Sequence, residues 1–362
     1  MKILVANIGS TSFKYRLFNT DTMEVVQQGK VERITNYDSA IHQCLDCMAG
    51  GIDSVAFKAV FAGPLSGARL VDDELLAAME DYTFFAPAHN PPYIAAMRAF
   101  RKALPETPLV ALLETAFFTE MEDAALTYSV PFEWKEQYGI RRYGFHGASH
   151  RAASERAREL AGKDDIRHIS CHLGGSSSMA AIRNGVAIDT SFGMSPQSGL
   201  PHNNRTGDLD VFAVLYMMKK KSLSIDEMAK ILGSESGLAG VSGTSGDVRD
   251  IDCGCAKSDA RCQLALDVLI RAVRNYLGSF FVALGGLDVL TFTGGIGENG
   301  VEIRERICCG LEILGVRLDV DRNRTESGEA LLSTADSKVQ VWMFPADEER
   351  IVARAALEVL SK

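Results

Sequence analysis

Three short turns rich in glycine and serine are the parts of this chain best suited to hold phosphate. They are NIGSTSFK at 7–14, GGSSS at 174–178 and GGIG at 294–297. In such turns backbone N–H groups and hydroxyls can hydrogen-bond an anion. A single turn of this kind is more often only a turn. Three in one chain favour phosphoryl transfer, which needs phosphate cradles, a metal and cations rather than covalent chemistry.

Three polar loops carry the candidate cationic and imidazole groups. They are YGFHGASH at 143–150, SPQSGLPHNNRTGDLD at 195–210 and SGTSGDVRD at 242–250. Each is glycine-rich and contains arginine, histidine or aspartate, and functional side chains are usually displayed on loops of this type. These loops are therefore the expected source of groups that neutralise a transferring phosphoryl.

The same residues also have purely structural interpretations. Arg205 can form an ion pair with Asp208. Arg249 can do the same with Asp250. His150 lies where a helix is expected to begin and can act as a cap. These alternatives stay open at the level of the sequence.

The segments around the turns alternate between apolar and polar residues, which predicts strands. ILVANIG, FKYRLFN and EVVQQGKV form one three-stranded unit, and HISCHLG, MAAIRNG and VAIDTS repeat it from residue 168. This internal duplication predicts two glycine and serine turns that face one cleft. The third turn follows the apolar LDVL at 287–290 and precedes a helical pattern at 301–315, so we expect it at a helix N-terminus.

Much of the remaining chain has helical periodicity. The helical segments are 73–82, 92–104, 150–162, 209–221 and 262–284. AHNPP at 88–92 can simply begin a helix, with Asn90 as N-cap and Pro91 as first residue. Clusters of strands that alternate with helices predict a mixed α/β architecture. The helix after Pro345 is expected to return to the first domain.

Composition excludes several classes of function. The 362 residues include 47 acidic and 38 basic side chains, and the net charge of −9 repels nucleic acids and anionic membranes. The N-terminus lacks the apolar region of a secretory signal, and no apolar run reaches the ~20 residues of a spanning helix. We therefore expect a cytoplasmic protein with neither nucleic acid nor membrane as a partner.

The eight cysteines allow two interpretations. Cys44 and Cys47 form a C-x-x-C pair, and Cys253, Cys255 and Cys262 cluster, which is compatible with a metal or a disulfide. No histidine lies beside them at ligand spacing, and structural zinc needs four ligands. Reduced thiols that serve as packing residues are the favoured interpretation.

Seven blocks of the sequence resemble the acetate kinase family, which also includes propionate and butyrate kinases. They occur in the order and approximate spacing of that family: NIGSTSFK, FAPAHNPP, RRYGFHGASHR, GLPHNNRTGDLD, SGLAGVSGTSGDVRDI, FTGGIGENGVEIRERICCGLEILGVRLD and FPADEERIVAR. The resemblance implies an α/β fold of two actin-like domains, as in the acetate and sugar kinase, Hsp70 and actin superfamily, with a cleft between them. It places the N-terminal domain at 1–143 plus 347–362 and the C-terminal, nucleotide-binding domain at 144–346.

The reaction implied by the resemblance is reversible phosphoryl transfer between ATP and a short-chain carboxylate. A carboxylate oxygen would attack the γ-phosphorus directly and in line. The implied co-substrates are ATP and ADP, the implied cofactor is Mg²⁺ with Mn²⁺ as an alternative, and the implied assembly is a homodimer. Two other interpretations remain: a kinase for propionate, butyrate or a larger acid, and a nucleotide-binding regulatory protein that has lost catalysis.

The resemblance also assigns site residues by position. The expected catalytic residues are His146, Arg205, Glu114 and Lys58. The expected acceptor pocket consists of Lys58, Val60, Ala88, His89, Phe145 and Pro196. The expected nucleotide site consists of Ser10, Ser12, Lys14, His172, Gly174, Gly175, Asp247, Arg249, Gly295, Ile296 and Asn299. The expected metal ligands are Asn7 and Glu348.

The chain departs from the resembled family at several of these positions. The family has arginine where this chain has Lys58, aspartate where it has Glu114, asparagine where it has Gly175, and usually leucine where it has Ala88. FAGPLSG at 61–67 also replaces a more basic and polar stretch. The differences gather around the acceptor, so the acid that is phosphorylated is the part of the function that the resemblance defines least.

Overall fold

Two six-stranded sheets form the framework of this computed structural model, which describes residues 1–9, 12–34, 36–48 and 50–362. The strands are β1 Lys2–Ile8, β2 Ser12–Asn19, β3 Glu24–Glu32, β4 Ser54–Ala59, β5 Ala68–Leu70, β6 Leu109–Leu113, β7 Arg167–His172, β8 Ser178–Arg183, β9 Val186–Thr190, β10 Val289–Thr293, β11 Ala330–Leu331 and β12 Gln340–Met343. Ser10, one of the expected nucleotide residues, lies outside the described residues.

The two sheets share one topology. The first has the order β3-β2-β1-β4-β6-β5 and the second, read from its other edge, has β9-β8-β7-β10-β12-β11. In each, the first three strands form an antiparallel meander, and its first strand then continues into two parallel neighbours. The duplication expected from the alternating segments is therefore confirmed, and it extends to the whole sheet.

Helices cover both sheets. They are α1 Tyr37–Asp46, α2 Asp73–Asp81, α3 Asn90–Ala103, α4 Asp123–Leu126, α5 Phe132–Tyr138, α6 Gly147–Ala161, α7 Val211–Lys221, α8 Ile225–Ser234, α9 Gly237–Ser242, α10 Val248–Cys255, α11 Ala260–Leu284, α12 Gly294–Asn299, α13 Val301–Cys308, α14 Val320–Thr325 and α15 Glu348–Leu360. Short 3₁₀ turns occur at Ala116–Phe118 and Glu312–Leu314. No helix in the described ranges is both long and apolar enough to cross a membrane.

The C-terminal helix packs on the first sheet. Ile351 and Val352 of α15 share a core with Ile3 and Val5 of β1. Helices α1 and α3 cover the opposite face. The chain therefore returns to the N-terminal sheet after Pro345, as expected from the sequence, although the domain boundaries themselves stay a prediction.

Helix α6 joins the two halves. It contacts α15 on one side and β7 and β10 of the second sheet on the other. Helix α11 fills the main core of the second sheet, where Leu269 and Val273 pack against strand residues. Because α6 contacts a helix of the first half and the sheet of the second, residues at its start lie where the two halves meet.

Two local expectations differ from the structure. The turn at 294–297 is itself a short helix, α12, and the helix after it ends at Cys308 rather than near residue 315. Asn90 is not the N-cap of α3, because its buried side chain donates instead to the carbonyls of Phe61 and Met79, at 2.8 and 2.7 Å.

All eight cysteines are unpaired, and the described residues contain no group of three or more side chains placed to hold a metal ion.

Candidate active site

One lysine and two carboxylates meet near the start of α15. Lys58 points to the α15 face of β4, because its neighbours Phe57 and Ala59 pack on the other face. Glu114 follows β6, the parallel neighbour of β4, and Glu348 is the first residue of α15. Lys58 is ion-paired with Glu348, and its Nζ atom lies 3.4 Å from Oε1 of Glu114. The fold thus joins three expected site residues that are far apart in the chain.

The three side chains of this cluster differ in their protonation at neutral pH. Burial, the largest effect, raises the pKa of Glu114 to about 7, although Lys58 opposes it. For Glu348, burial also acts to raise the pKa, but Lys58 and His172 together leave it lowered. Burial disfavours a charged Lys58, yet the two carboxylates raise its pKa well above the ordinary value. At neutral pH the cluster therefore holds a charged lysine, an ionised Glu348 and a partly protonated Glu114.

Two histidines at the start of α6 share one hydroxyl of β8. Nδ1 of His146 and Nε2 of His150 each lie 2.8 Å from Oγ of Ser178. Nδ1 of His150 also lies 2.9 Å from Oγ of Ser170. His150 of α6 is therefore buried and hydrogen-bonded to two serines of the second sheet. The interpretation of His150 as a helix cap is wrong.

His172 lies beside His146 rather than in the nucleotide cavity described below. The two rings are 4.4 Å apart between centroids. Nδ1 of His172 is 2.7 Å from Oγ of Ser149 and 4.0 Å from Oε1 of Glu348. His146 itself adopts a left-handed backbone conformation, with φ of +59°, which is uncommon for a residue other than glycine and occurs often at functional sites.

Arg205 is buried, with 8% of its surface exposed. Among the described residues its guanidinium makes one hydrogen bond, from Nη1 to the carbonyl of Pro196 at 2.7 Å. Burial lowers its pKa to about 10, so it stays charged at neutral pH. Asp208 instead accepts hydrogen bonds from the backbone of Gly199 and the hydroxyl of Tyr276. The ion-pair alternative for Arg205 is wrong, and its other donors can serve a ligand.

Two neutral histidines, His89 and His146, feel the charges of Lys58 and Arg205, and the cationic space is the region among these four side chains. Nδ1 of His89 is buried without a hydrogen-bond partner among the described residues. Burial, the largest effect, and the charges of Arg205 and Lys58 together lower the pKa of His89 to about 4. Burial also holds the pKa of His146 well below its usual range, and nearby His172 and the same two cations contribute. This arrangement suits a bound anion.

An aromatic wall borders this space. Val60 and Phe145 are buried, and the ring of Phe145 packs 5.4 Å from that of Phe61 and 5.6 Å from that of Phe192. The ring of Phe192 lies 5.2 Å from that of His146. Phe145 therefore stands next to the candidate catalytic histidine, and Val60 belongs to the same core as Phe145 and Phe192.

The other two expected wall residues differ in their surroundings. Pro196 is buried, and its carbonyl holds Arg205. Ala88 is exposed, in the loop before α3. The structure therefore does not pack Ala88 against the aromatic wall, and its place in the acceptor pocket stays a prediction.

Most of the expected nucleotide residues line one cavity of about 460 Å³. They are Gly174, Gly175, Asp247, Arg249, Gly295, Ile296 and Asn299. The cavity lies between the turns that follow β7 and β10, because these parallel strands are neighbours and their carboxyl ends meet. This is where ligands generally bind in α/β sheets.

The two turns approach closely at Gly294. Its φ is +77°, and a Cβ atom there would lie 2.6 Å from the carbonyl oxygen of Leu173, so the position needs glycine. The backbone N–H groups of Ile296 and Gly297 donate to the same carbonyl at 2.9 and 3.0 Å. These two groups are therefore not available to an anion, contrary to the expectation for this turn.

Asp247 is the N-cap of α10 and holds Arg249. Its side chain accepts from the backbone and guanidinium of Arg249, which is why the carboxyl pKa falls to about 2. Asp250 accepts instead from Ser245, so the expected alternative pair of Arg249 with Asp250 is wrong. The Arg249 side chain is 89% exposed at the mouth of the cavity.

The first glycine and serine turn lies next to the start of α15. Asn7 and Lys14 are paired across β1 and β2, and the backbone N–H of Gly9 donates to the carbonyl of Ser12 at 2.7 Å. Asn7 and Lys14 line a second cavity of about 460 Å³ together with Glu349. Both expected metal ligands are therefore on the α15 side of the first sheet.

Sequence reasoning missed four residues of the nucleotide cavity: Asn203, Val248, Asp252 and Gly300. Asn203 stands two positions before Arg205 in a loop already recognised as functional, and Asp252 stands one helical turn after Val248. These spacings were the only signals available, because the cavity is formed by segments distant in the chain.

Two equivalent α/β halves, a cavity where parallel strands end and the cationic space beside it form the arrangement expected of a phosphotransferase. The chain matches the model of the Acetokinase family over residues 49–354. It is 40% identical to an acetate kinase of Thermoanaerobacterium thermosaccharolyticum over 98% of both chains, and 38% identical to one of Clostridium botulinum over the full length of both.

Solved structures agree. An acetate kinase of Porphyromonas gingivalis superposes with a TM-score of 0.90 at 34% identity, covering 99% of both chains. A propionate kinase of Francisella tularensis superposes with a TM-score of 0.91 at 29% identity, covering 98% of both. The chain belongs to the acetokinase family. The family, the two-domain actin-like α/β fold and the kinase class expected from the sequence are thereby confirmed.

Proposed function

We propose that this chain transfers the γ-phosphoryl group of ATP to the carboxylate of a short-chain acid and forms an acyl phosphate, reversibly and in line. One observation carries the proposal. The cations Lys58 and Arg205 act on the same two neutral histidines, His89 and His146, beside an apolar wall. A site with these properties fits an anionic head and a hydrocarbon tail, and relatives of similar length are acetate kinases.

Arg205 and His146 are assigned to the transferring phosphoryl. Arg205 is charged and has donors left unused by the described chain. His146 is neutral at pH 7, and Ser178 can donate to its Nδ1, which leaves the Nε2 proton to donate to a phosphoryl oxygen. His150 would then donate to Ser178 from its Nε2. Positioned donors of this kind act on charge that develops in the transition state.

Lys58 is assigned to the carboxylate of the acceptor and Glu114 to its orientation. In the structure Lys58 pairs with Glu348 and Glu114. Binding of an acid would exchange part of this pairing for the acid's own carboxylate. The acyl tail would then contact Val60 and Phe145, which are apolar and buried.

The residues present fit a divalent cation of the Mg²⁺ type. Glu348 and Asn7 offer a carboxylate and an amide oxygen, and Mg²⁺ usually takes one or two carboxylates plus waters and substrate phosphates. When bound, the ion would neutralise phosphate charge. Mn²⁺ would use the same oxygen donors.

The nucleotide is assigned to the 460 Å³ cavity. Gly174 and Gly295 bring backbone close to it from both turns. Asp247, Arg249 and Asn299 supply polar side chains at its rim. Lys14 and Ser12 of the first turn are assigned to the phosphates at the other end of the ligand.

Two other functions are kept as alternatives. A preference for propionate, butyrate or a larger acid is favoured by the small side chain of Ala88, where the resembled family usually has leucine, and by the similarity to a propionate kinase. A regulatory, non-catalytic protein is favoured only by the replacements at Lys58 and Glu114. The buried guanidinium of Arg205 has no ion-pair partner among the described residues, which favours catalysis, because a buried charge of this kind is costly unless it serves a ligand.

The proposal is tested by a hydroxamate assay of the purified protein with ATP, Mg²⁺ and a series of C2 to C5 acids. We expect acyl hydroxamate with at least one of these acids, and none when Mg²⁺ is removed with EDTA. If ATP binds by calorimetry but no acid yields product, the regulatory alternative is correct and the catalytic assignment is wrong.

The assembly proposed is a homodimer that uses α7. No residue of α7, all of which are described, is buried, yet the helix carries Val211, Phe212, Leu215 and Tyr216. Phe212 is 74% exposed. An apolar helix face of this kind is typical of a covered interface, and the partner proposed is a second copy of the chain. The expected cytoplasmic location is part of the proposal and rests on the sequence alone.

A further inference from the structure

The side chain of Asn203 lies against Gly175, in the space that a side chain at position 175 would enter. The backbone N–H of Asn203 donates to the carbonyl of Gly175 at 3.0 Å. A Cβ atom built on Gly175 would lie 3.4 Å from Nδ2 of Asn203 and 3.7 Å from its Cγ. Both residues line the nucleotide cavity. An amide from the loop at 195–210 therefore stands where a side chain at position 175 would begin.

This amide is held in place but lacks a partner. Oδ1 of Asn203 is buried and has no hydrogen-bond partner among the described residues. The backbone cannot shift easily, because the N–H of Ala239 donates to the Asn203 carbonyl at 2.7 Å and a Cβ on Gly246 would lie 2.1 Å from that oxygen. A buried polar atom without a partner is costly, and one at the wall of a cavity indicates a ligand.

The loop ties Asn203 to both parts of the site. Nδ1 of its neighbour His202 accepts from the backbone N–H of Ser177, in the GGSSS turn, at 3.0 Å. Arg205, two residues further on, belongs to the cationic space. Asn203 thus lies between the nucleotide cavity and the place of transfer, where a polyphosphate chain has to pass.

We propose that Asn203 is a nucleotide-binding residue whose amide hydrogen-bonds the polyphosphate of the bound nucleotide and replaces the amide that position 175 lacks. Nδ2 donates to a phosphate oxygen, while Oδ1 accepts from a hydroxyl or water of the same ligand. The inference rests on the proposed function. It explains how the chain can carry glycine at 175, where the resembled family has asparagine, and still bind nucleotide.

The test measures dissociation constants of ATP and ADP by calorimetry with Mg²⁺. Asn203→Ala should weaken both by roughly 10- to 100-fold, as for a lost hydrogen bond to a charged group. Asn203→Asp should be weaker still, because its charge faces phosphate. Asn204→Ala is the matched control, since Asn204 is the exposed neighbour, and should bind as the wild type does. Wild-type affinity in Asn203→Ala or in Asn203→Asp would overturn the inference.

Moving the amide from position 203 to position 175 distinguishes a loss of nucleotide binding from a loss of folding. In Asn203→Gly the space above Gly175 is free, so adding Gly175→Asn should return an amide to the cavity from the other side. We expect the double variant to bind ADP at least roughly tenfold more tightly than Asn203→Gly. No recovery in a folded double variant would contradict the proposal. A wild-type protein that binds no nucleotide would instead overturn the proposed function itself.

Discussion

Nζ of Lys58 lies 3.4 Å from Oε1 of Glu114, whose side chain is nearly inaccessible to solvent. The resembled family has a longer cation and a shorter anion at these positions. Lysine removes the planar fork of arginine, and glutamate adds one methylene to aspartate, so the combined reach across the site can be conserved. The contact between the two side chains gives this compensation a physical basis.

We predict that Lys58 and Glu114 are energetically coupled. Lys58→Arg and Glu114→Asp should each lower kcat/KM, because a misplacement of ~1 Å costs about 10²-fold in rate. The double reversion should recover part of the loss. A double-mutant cycle in kcat/KM, with melting temperatures to confirm folding, measures the coupling. Purely additive losses would show that the two residues are not coupled. Higher activity after a single reversion would show that the replacement at that position had impaired the enzyme.

Glu114 should make stability depend on pH. Its pKa is about 7 in the folded chain against an ordinary value of 4.5, so the folded state holds an extra proton between these values. The free energy of unfolding should therefore be highest below about pH 4.5 and fall by up to ~3 kcal/mol as the pH rises to 7. Above pH 7 it should change little further. Glu114→Gln should abolish this fall.

The measurement for Glu114 is urea unfolding between pH 5 and 8 in metal-free buffer. Glu106→Gln, at an exposed glutamate, is the control and should keep the wild-type dependence. A Glu114→Gln curve parallel to that of the wild type would show that Glu114 does not titrate in this window.

Arg205→Ala should reduce turnover far more than it raises KM for ATP. An arginine aimed at the transferring phosphoryl acts mainly in the transition state, and such residues are worth on the order of 10³-fold. Steady-state kinetics with ATP varied checks this, and Arg205→Lys tests how much of the effect is charge alone. Wild-type turnover in the alanine variant would mean that Arg205 only anchors the carbonyl of Pro196.

Acids longer than acetate should be used comparatively well. Alanine in place of leucine at position 88 removes about three carbons from the pocket wall, and each buried methylene contributes ~0.8 kcal/mol, or roughly fourfold in specificity. Ala88→Leu should shift the preference towards acetate. The comparison is kcat/KM for C2 to C5 acids in both proteins, and a clear wild-type preference for acetate over propionate would refute the prediction.

Phe212→Asp should weaken the dimer. A charge on an apolar interface should raise the dissociation constant of the dimer by roughly 30-fold or more. Light scattering after size exclusion, over a range of concentrations, measures this. Phe132→Asp, which changes a similarly exposed phenylalanine on α5, is the control and should leave the molar mass measured for the dimer unchanged. A Phe212→Asp dimer as stable as the wild type would place the interface elsewhere.

The sequence by itself determined the elements and the family. Alternation of apolar and polar residues predicted the two meanders, because side chains in a strand point to opposite faces at every second residue. The motif blocks predicted the kinase family and most residues of the nucleotide cavity, because each block carries its own turn and loop chemistry.

Only the tertiary structure decided which of these residues meet. Lys58 and Glu348 are 290 positions apart and pair because the C-terminal helix returns to the first sheet. Asn203 reaches Gly175 because a loop of the second half folds over the turn after β7. Ion pairs expected between neighbours in the chain, such as Arg205 with Asp208, did not form. Burial and long-range packing set those contacts, and local sequence carries no information about partners so distant.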